Sequence, residues 1–77
     1  MEIKEGFYIT KHDDTLFLTE IVKNGSSYYG TDLRKLNNGE QDLMNYWPVY
    51  IGSNAVKFLI YEETLKSLEK KYPQYFV

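Results

Sequence analysis

Hydrophobic and polar residues alternate along the first third of the chain with the period of two that marks β-strands. Over Ile3 to Thr10, Ile3, Phe7 and Ile9 fall on one side with Glu5 among them, and Lys4, Tyr8 and Thr10 fall on the other. Lys11-His12-Asp13-Asp14-Thr15 is then a polar connector whose aspartates favour a turn. A second strand is predicted from Leu16 to Lys23, with Leu16, Leu18 and Val22 on one face and Phe17 and Ile21 on the other. Apolar residues on both faces point to a strand that curves within a small closed barrel. Asn24-Gly25 tolerates positive φ at both positions and predicts a tight hairpin into a third strand, Ser26 to Leu33. On that strand Tyr28 and Tyr29 point to opposite faces.

From Arg34 to Asn45 the pattern collapses into a long polar loop, with one helical turn expected around Asp42 to Tyr46. Loops of about 12 residues are uncommon in small domains and are often functional. The densest apolar run follows, Tyr46 to Tyr61, broken at Gly52-Ser53-Asn54 and holding the single tryptophan, Trp47. It reads as two strands, Tyr46 to Ile51 and Val56 to Tyr61, with Val56, Phe58 and Ile60 in the core. The rival is one helix from Asn54, capped by Ser53, because Phe58, Tyr61, Leu65, Leu68 and Tyr72 recur at helical spacing. A strand is preferred for Val56 to Tyr61, since apolar residues there occupy every side but one. A helix is expected over about 62–72, with Glu62 and Glu63 at its start, Lys70 and Lys71 at its end, and Pro73 as its stop. The apolar tail Gln74 to Val77 is expected to fold back onto the barrel or onto a second copy.

Size narrows what such a chain can be. Its 77 residues make one domain, residues 1–77, that buries only roughly 60% of its unfolded surface. It has no cysteine, which removes disulfides and thiolate ligands and fits a reducing cytoplasm. No apolar run is long enough for a membrane span, and no basic start leads into a signal-like segment. The net charge of −2 and the single arginine, Arg34, argue against a grip on nucleic-acid phosphates.

Candidate chemistry is sparse. His12-Asp13-Asp14 offers a base or a divalent-ion ligand set, but there is no second histidine for a transition-metal site and no triad partner, so a solvated turn is the plainer reading. The segment Asp32 to Asp42 lacks the ligand spacing of a calcium loop. Asn24-Gly25-Ser26 matches a glycosylation acceptor but is explained by the hairpin. No catalytic set and no cofactor motif is visible, so no catalytic residue, metal or cofactor is assigned. Eight tyrosines remain, and alternation must leave some rings outside.

These patterns lead to a mainly β domain with one C-terminal helix, arranged as a small antiparallel barrel of about five strands. The strand spacing resembles SH3-like and Sm-like barrels in outline, although neither the acidic Tyr-rich loop of SH3 domains nor an Sm signature is present. The expected function is a non-enzymatic protein-binding module, of the kind phages and mobile elements carry as accessory or inhibitor proteins against a host protein. Its expected binding residues are Tyr28, Tyr29, Arg34, Tyr46, Trp47 and Tyr50. The alternative is a single-stranded nucleic-acid binder that stacks bases on the same rings. The Leu65/Leu68/Tyr72 stripe and the tail are the surfaces through which a homodimer would form; the more ordinary role for the stripe is packing on the chain's own barrel.

Overall fold

The computed structural model describes residues 3–36, 41–49 and 56–76. Strands β1 (Gly6–His12), β2 (Thr15–Asn24), β3 (Ser27–Lys35), β4 (Gln41–Pro48) and β5 (Val56–Glu62) form one antiparallel sheet in the order β4-β3-β2-β1-β5. Helix α1 (Leu65–Lys71) and a 3-10 turn at Pro73–Tyr75 follow β5. Val56 to Tyr61 is therefore strand and not the start of a long helix.

Both hairpins are tight. Asn24 pairs with Ser27, which leaves Gly25 (φ +67°) and Ser26 in the turn, one residue later than the Asn-Gly signal suggests. His12 pairs with Thr15 across Asp13 and Asp14, and Asp13 takes φ +53°, a conformation Asp tolerates better than most residues. The polar connector of the sequence is thus only two residues long, and His12 belongs to the sheet.

The region 34–45 departs most from expectation. Arg34 and Lys35 extend β3, and β4 begins at Gln41, so the helical turn expected at Asp42 to Tyr46 is instead strand. Backbone pairing of Asp32 with Asn45 and Arg34 with Gln41 explains this: once β3 offers a ladder, weak strand formers are carried into it. Residues 37–40 and 50–55 lie outside the described residues, and with them Tyr50 and the Gly52-Ser53-Asn54 break.

Directly paired residues share a face of the sheet. One face carries Phe7, Ile9, Leu16, Leu18, Leu33 and Ile60, packed with Leu36 beneath Leu65, Leu68, Tyr72, Tyr75 and Phe76. Ile9 and Leu68 have no exposed surface. The helix stripe and the C-terminal tail therefore cover the chain's own sheet. The opposite face carries Tyr8, Thr10, His12, Thr19, Ile21, Asp32, Trp47 and Phe58. It is strongly concave. In a flat sheet the first and fifth strands stand about 19 Å apart, yet the ring centroids of Trp47 on β4 and Phe58 on β5 lie 6.3 Å apart.

Among the described residues, register shifts interrupt three of the four ladders, at Ile9/Thr10, Leu18/Thr19 and Asp32/Arg34, and the first two are single-residue bulges. Ile9 pairs with Ile60 and Thr10 with Phe58, which leaves Leu59 unopposed; Leu18 pairs with Arg34 and Thr19 with Asp32, which leaves Leu33 unopposed. An extra residue of this kind bends a strand and increases its twist. The first bulge also sends Phe58 and Ile60 to opposite faces and leaves Leu59 48% exposed. The sheet does not close. β4 and β5 remain at opposite ends of the strand order, so among the described residues the expected barrel is an open, curled sheet whose edges meet through the Trp47 and Phe58 rings and not through backbone hydrogen bonds.

The helix starts later than its acidic residues imply. Thr64 is its N-cap, with Oγ1 accepting from the Ser67 backbone N–H at 3.1 Å. Glu62 ends β5 instead, and its Oε1 accepts from Ser67 Oγ at 2.8 Å and Lys71 Nζ at 3.1 Å. These hydrogen bonds, the Ser67 one first, lower the Glu62 pKa below its ordinary value.

Candidate functional site

The concave face is built around a carboxylate. Asp32 is 2% exposed on β3, where an unpaired charge would be costly, and the surrounding strands supply its partners. Asp32 Oδ1 accepts from Thr19 Oγ1 of β2 at 2.9 Å and from the Trp47 indole N–H of β4 at 3.0 Å. Thr19 Oγ1 is also hydrogen-bonded to Thr10 Oγ1 of β1 at 2.8 Å, and both threonines are fully buried. One polar chain therefore crosses four strands, and it passes through the face that two-sided apolar alternation marks as core.

His12 joins this group. Its Nε2 lies 3.9 Å from Asp32 Oδ2, buried and without a hydrogen-bond partner. The imidazole meets Phe17 at 5.0 Å and Trp47 at 5.6 Å between centroids, both near-perpendicular. The solvated turn expected for His12-Asp13-Asp14 holds for the aspartates, which are exposed, while His12 is only 26% exposed and turned inward. Among the described residues, no group of three or more His, Cys, Asp or Glu could hold a metal ion.

Trp47 is fixed from beneath as well as from its edge. It pairs with Gly30, and a Cβ at position 30 would come within 2.7 Å of the indole ring. At the opposite end of the face, Tyr8 Oη donates to the Lys4 carbonyl and accepts the Lys4 N–H, and its ring packs on Phe58 and Tyr61. Tyr8 is 3% exposed, and its burial pushes the phenol pKa up.

The expected binding residues divide between the two faces. Tyr29 and Tyr46 come together on the outer surface of β3 and β4, stacked at 5.2 Å and 6° between ring planes. Tyr46 is 57% exposed, and its neighbours in the pairing are Thr31 and, one strand further, Glu20. Pro48 is opposite Tyr29 and exposed. Beside this pair an open depression of about 400 Å³ is lined by Ile3, Ser27, Tyr28, Tyr29, Pro48 and Val49. Tyr28 sits at its rim with Lys23 Nζ 5.8 Å from its ring centre.

Trp47 and Arg34 are not part of that surface. Trp47 faces the concave side and serves Asp32. Arg34 lies at the other end of β3, between Leu18 and Gln41, with Nε buried and without a hydrogen-bond partner. Sequence reasoning considered Asp32 only as the start of a rejected calcium loop and did not place it at a site. The available signal was a charged residue within a predicted strand, two positions from Gly30 and hence on the same face.

No protein-family model, curated protein or solved structure matches the chain. Among the described residues, no helix is long and apolar enough to cross a membrane.

Proposed function

We propose that this chain is a small, non-enzymatic protein-binding module. The curled sheet acts as a barrel-like scaffold, and the stacked Tyr29–Tyr46 pair on its outer surface is the contact point. The single observation behind this reading is that Tyr46 leaves 57% of its surface in solvent while its ring is held by Tyr29. A rigid, exposed aromatic pair gives a partner large contact area with little entropy to lose, as interface hot spots do. The nearby depression beside Pro48 and Val49 supplies the concave neighbour that such anchors use.

The surroundings favour a protein over single-stranded nucleic acid. Thr31, Glu20 and Pro48 flank the pair, and Lys23 is the one cation placed on a tyrosine of this end of the sheet among the described contacts. A stacking platform for bases works with a positively charged groove along the backbone. The mild acidity of the chain weighs against a phosphate grip, and its small size and eight tyrosines fit an accessory or inhibitory protein that binds a host protein in the cytoplasm, of the kind phages and mobile elements carry.

The test is a comparison of wild type with the Y29S/Y46S double variant as bait in host lysate. The reading expects a stoichiometric protein partner that the folded double variant loses, and no salt-sensitive quenching of Trp47 fluorescence by oligonucleotides. Equal capture by both baits removes the tyrosine pair as the contact point. Strong quenching that weakens steeply with salt replaces the protein reading with the nucleic-acid one.

A further inference from the structure

We propose that His12, Asp32 and Trp47 form a proton-operated clasp across the concave face. The proposal does not depend on what the outer surface binds. His12 is at the end of β1 and Asp32 is on β3, so their approach spans the intervening strand β2. At 3.9 Å, Nε2 and Oδ2 are too far apart for a hydrogen bond, which needs about 2.7–3.2 Å. A neutral imidazole can leave a lone pair at that nitrogen facing the carboxylate. An imidazolium places an N–H donor and a positive charge there instead.

A proton taken from solvent by His12 thus converts a loose contact into a charge-assisted hydrogen bond, once the gap shortens by about 1 Å. That shortening draws the end of β1 toward β3. Trp47 moves with it, because its indole N–H is bonded to the other oxygen of the same carboxylate and its ring rests against the imidazole. β4 is an edge strand, so the clasp fixes the sheet edge that has a partner on only one side. Its protonated state is the tighter curl.

Among the described residues, Asp32 is the carboxylate recorded against His12. β2 presents Thr15 and Phe17, β4 presents Trp47, and β5 presents Val56 opposite His12. Lys35 lies opposite Phe17, one row further along the same face, and Asp13 and Asp14 stand exposed in the adjoining turn.

The chain holds one histidine and one tryptophan, so each signal has a single source. The experiment follows the Trp47 indole N–H and His12 ring resonances by NMR across about pH 5–8, where imidazoles titrate. The expected result is a shift of the indole resonance with the same midpoint as the imidazole, together with higher hydrogen-exchange protection factors for β4 amides on the acid side. H12Q must flatten both. D32N, where circular dichroism shows it folded, must keep the imidazole titration and lose the change in β4 protection. An indole resonance flat in wild type, or one that titrates unchanged in H12Q, overturns the proposal; the wild-type and H12Q pair decides it even if D32N fails to fold.

Discussion

The two faces of the sheet are cut from the same strands yet are held by different physics. Under α1, Ile9, Leu18, Leu36 and Leu68 meet as aliphatic surface, and what counts is area removed from water. On the concave face, Thr10, Thr19, Asp32 and Trp47 are as thoroughly organised but by direction, each donor aimed at one acceptor. An aliphatic core tolerates a neighbour of similar volume. A polar core is stabilising only when every member is satisfied. Both faces therefore hold the fold, one through buried apolar area and the other through directed hydrogen bonds.

Removing the carboxylate is the sharpest way to break this contrast. Asp32→Ala leaves the Thr19 hydroxyl and the Trp47 indole without their acceptor, at about 1–3 kcal/mol for each buried group, so a total loss of about 4 kcal/mol is expected in urea unfolding followed by circular dichroism. Leu68→Ala, the matching cut on the other face, is expected to cost about 3 kcal/mol, within the usual range for a fully buried leucine. The distinguishing readout is Trp47: its emission should shift red in folded Asp32→Ala and stay unchanged in folded Leu68→Ala. If both variants leave the indole signal alone, the two faces are not separable in this way.

Gly30→Ala probes the concave face without touching polarity. Its Cβ would meet the Trp47 ring at 2.7 Å, so overpacking of about 2 kcal/mol is expected, with the indole displaced from Asp32. A smaller effect belongs to the junction of β5 and α1. The lowered pKa of Glu62 means its contribution is present above the unfolded-state value, near pH 4.5, and is lost as pH falls through the folded one. Glu62→Gln should therefore lower stability slightly at neutral pH, leave it unchanged in acid where wild-type Glu62 is already protonated, and so reduce the acid dependence of unfolding below about pH 4.5, as urea titrations at both pH values would show. Tyr46→Ala stands last, with about 0.5 kcal/mol or less in stability expected for so exposed a ring.

Much of the fold was legible because local chemistry and tertiary pairing agree. Alternation around Ile9 and Leu18, the glycine turn after Asn24, and the stripe of Leu65, Leu68 and Tyr72 each name their element and their buried face. β4 was not legible, because Gln41, Asp42 and Asn45 have little strand preference of their own and take it from pairing with β3. The bulge at Leu59 defeated the strict period of two, so Phe58 and Ile60 were assigned to one core when they serve opposite faces. His12 was hidden by its neighbours: two aspartates after a histidine look like solvent, although the strand continues one residue before them. Of the residues expected to bind, Tyr29 and Tyr46 meet on the outer surface, and ring counting with alternation was enough to name them as candidates for exposure. Nothing local distinguishes them from Trp47, whose direction is fixed by Asp32 fifteen positions earlier in the chain.

The contact between Gly30 and Trp47 has a consequence for how this chain can diverge. With an indole ring occupying the space where a side chain at position 30 would begin, the two sites cannot drift independently. A descendant that keeps the tryptophan in place is under pressure to keep the glycine, and one that trades the indole for a smaller group frees the glycine while removing a hydrogen-bond donor from the aspartate two positions on. Gly30, Asp32 and Trp47, with Thr19 ahead of them, thus make a sparse signature. It offers a handle for recognising distant kin whose remaining residues have changed beyond alignment.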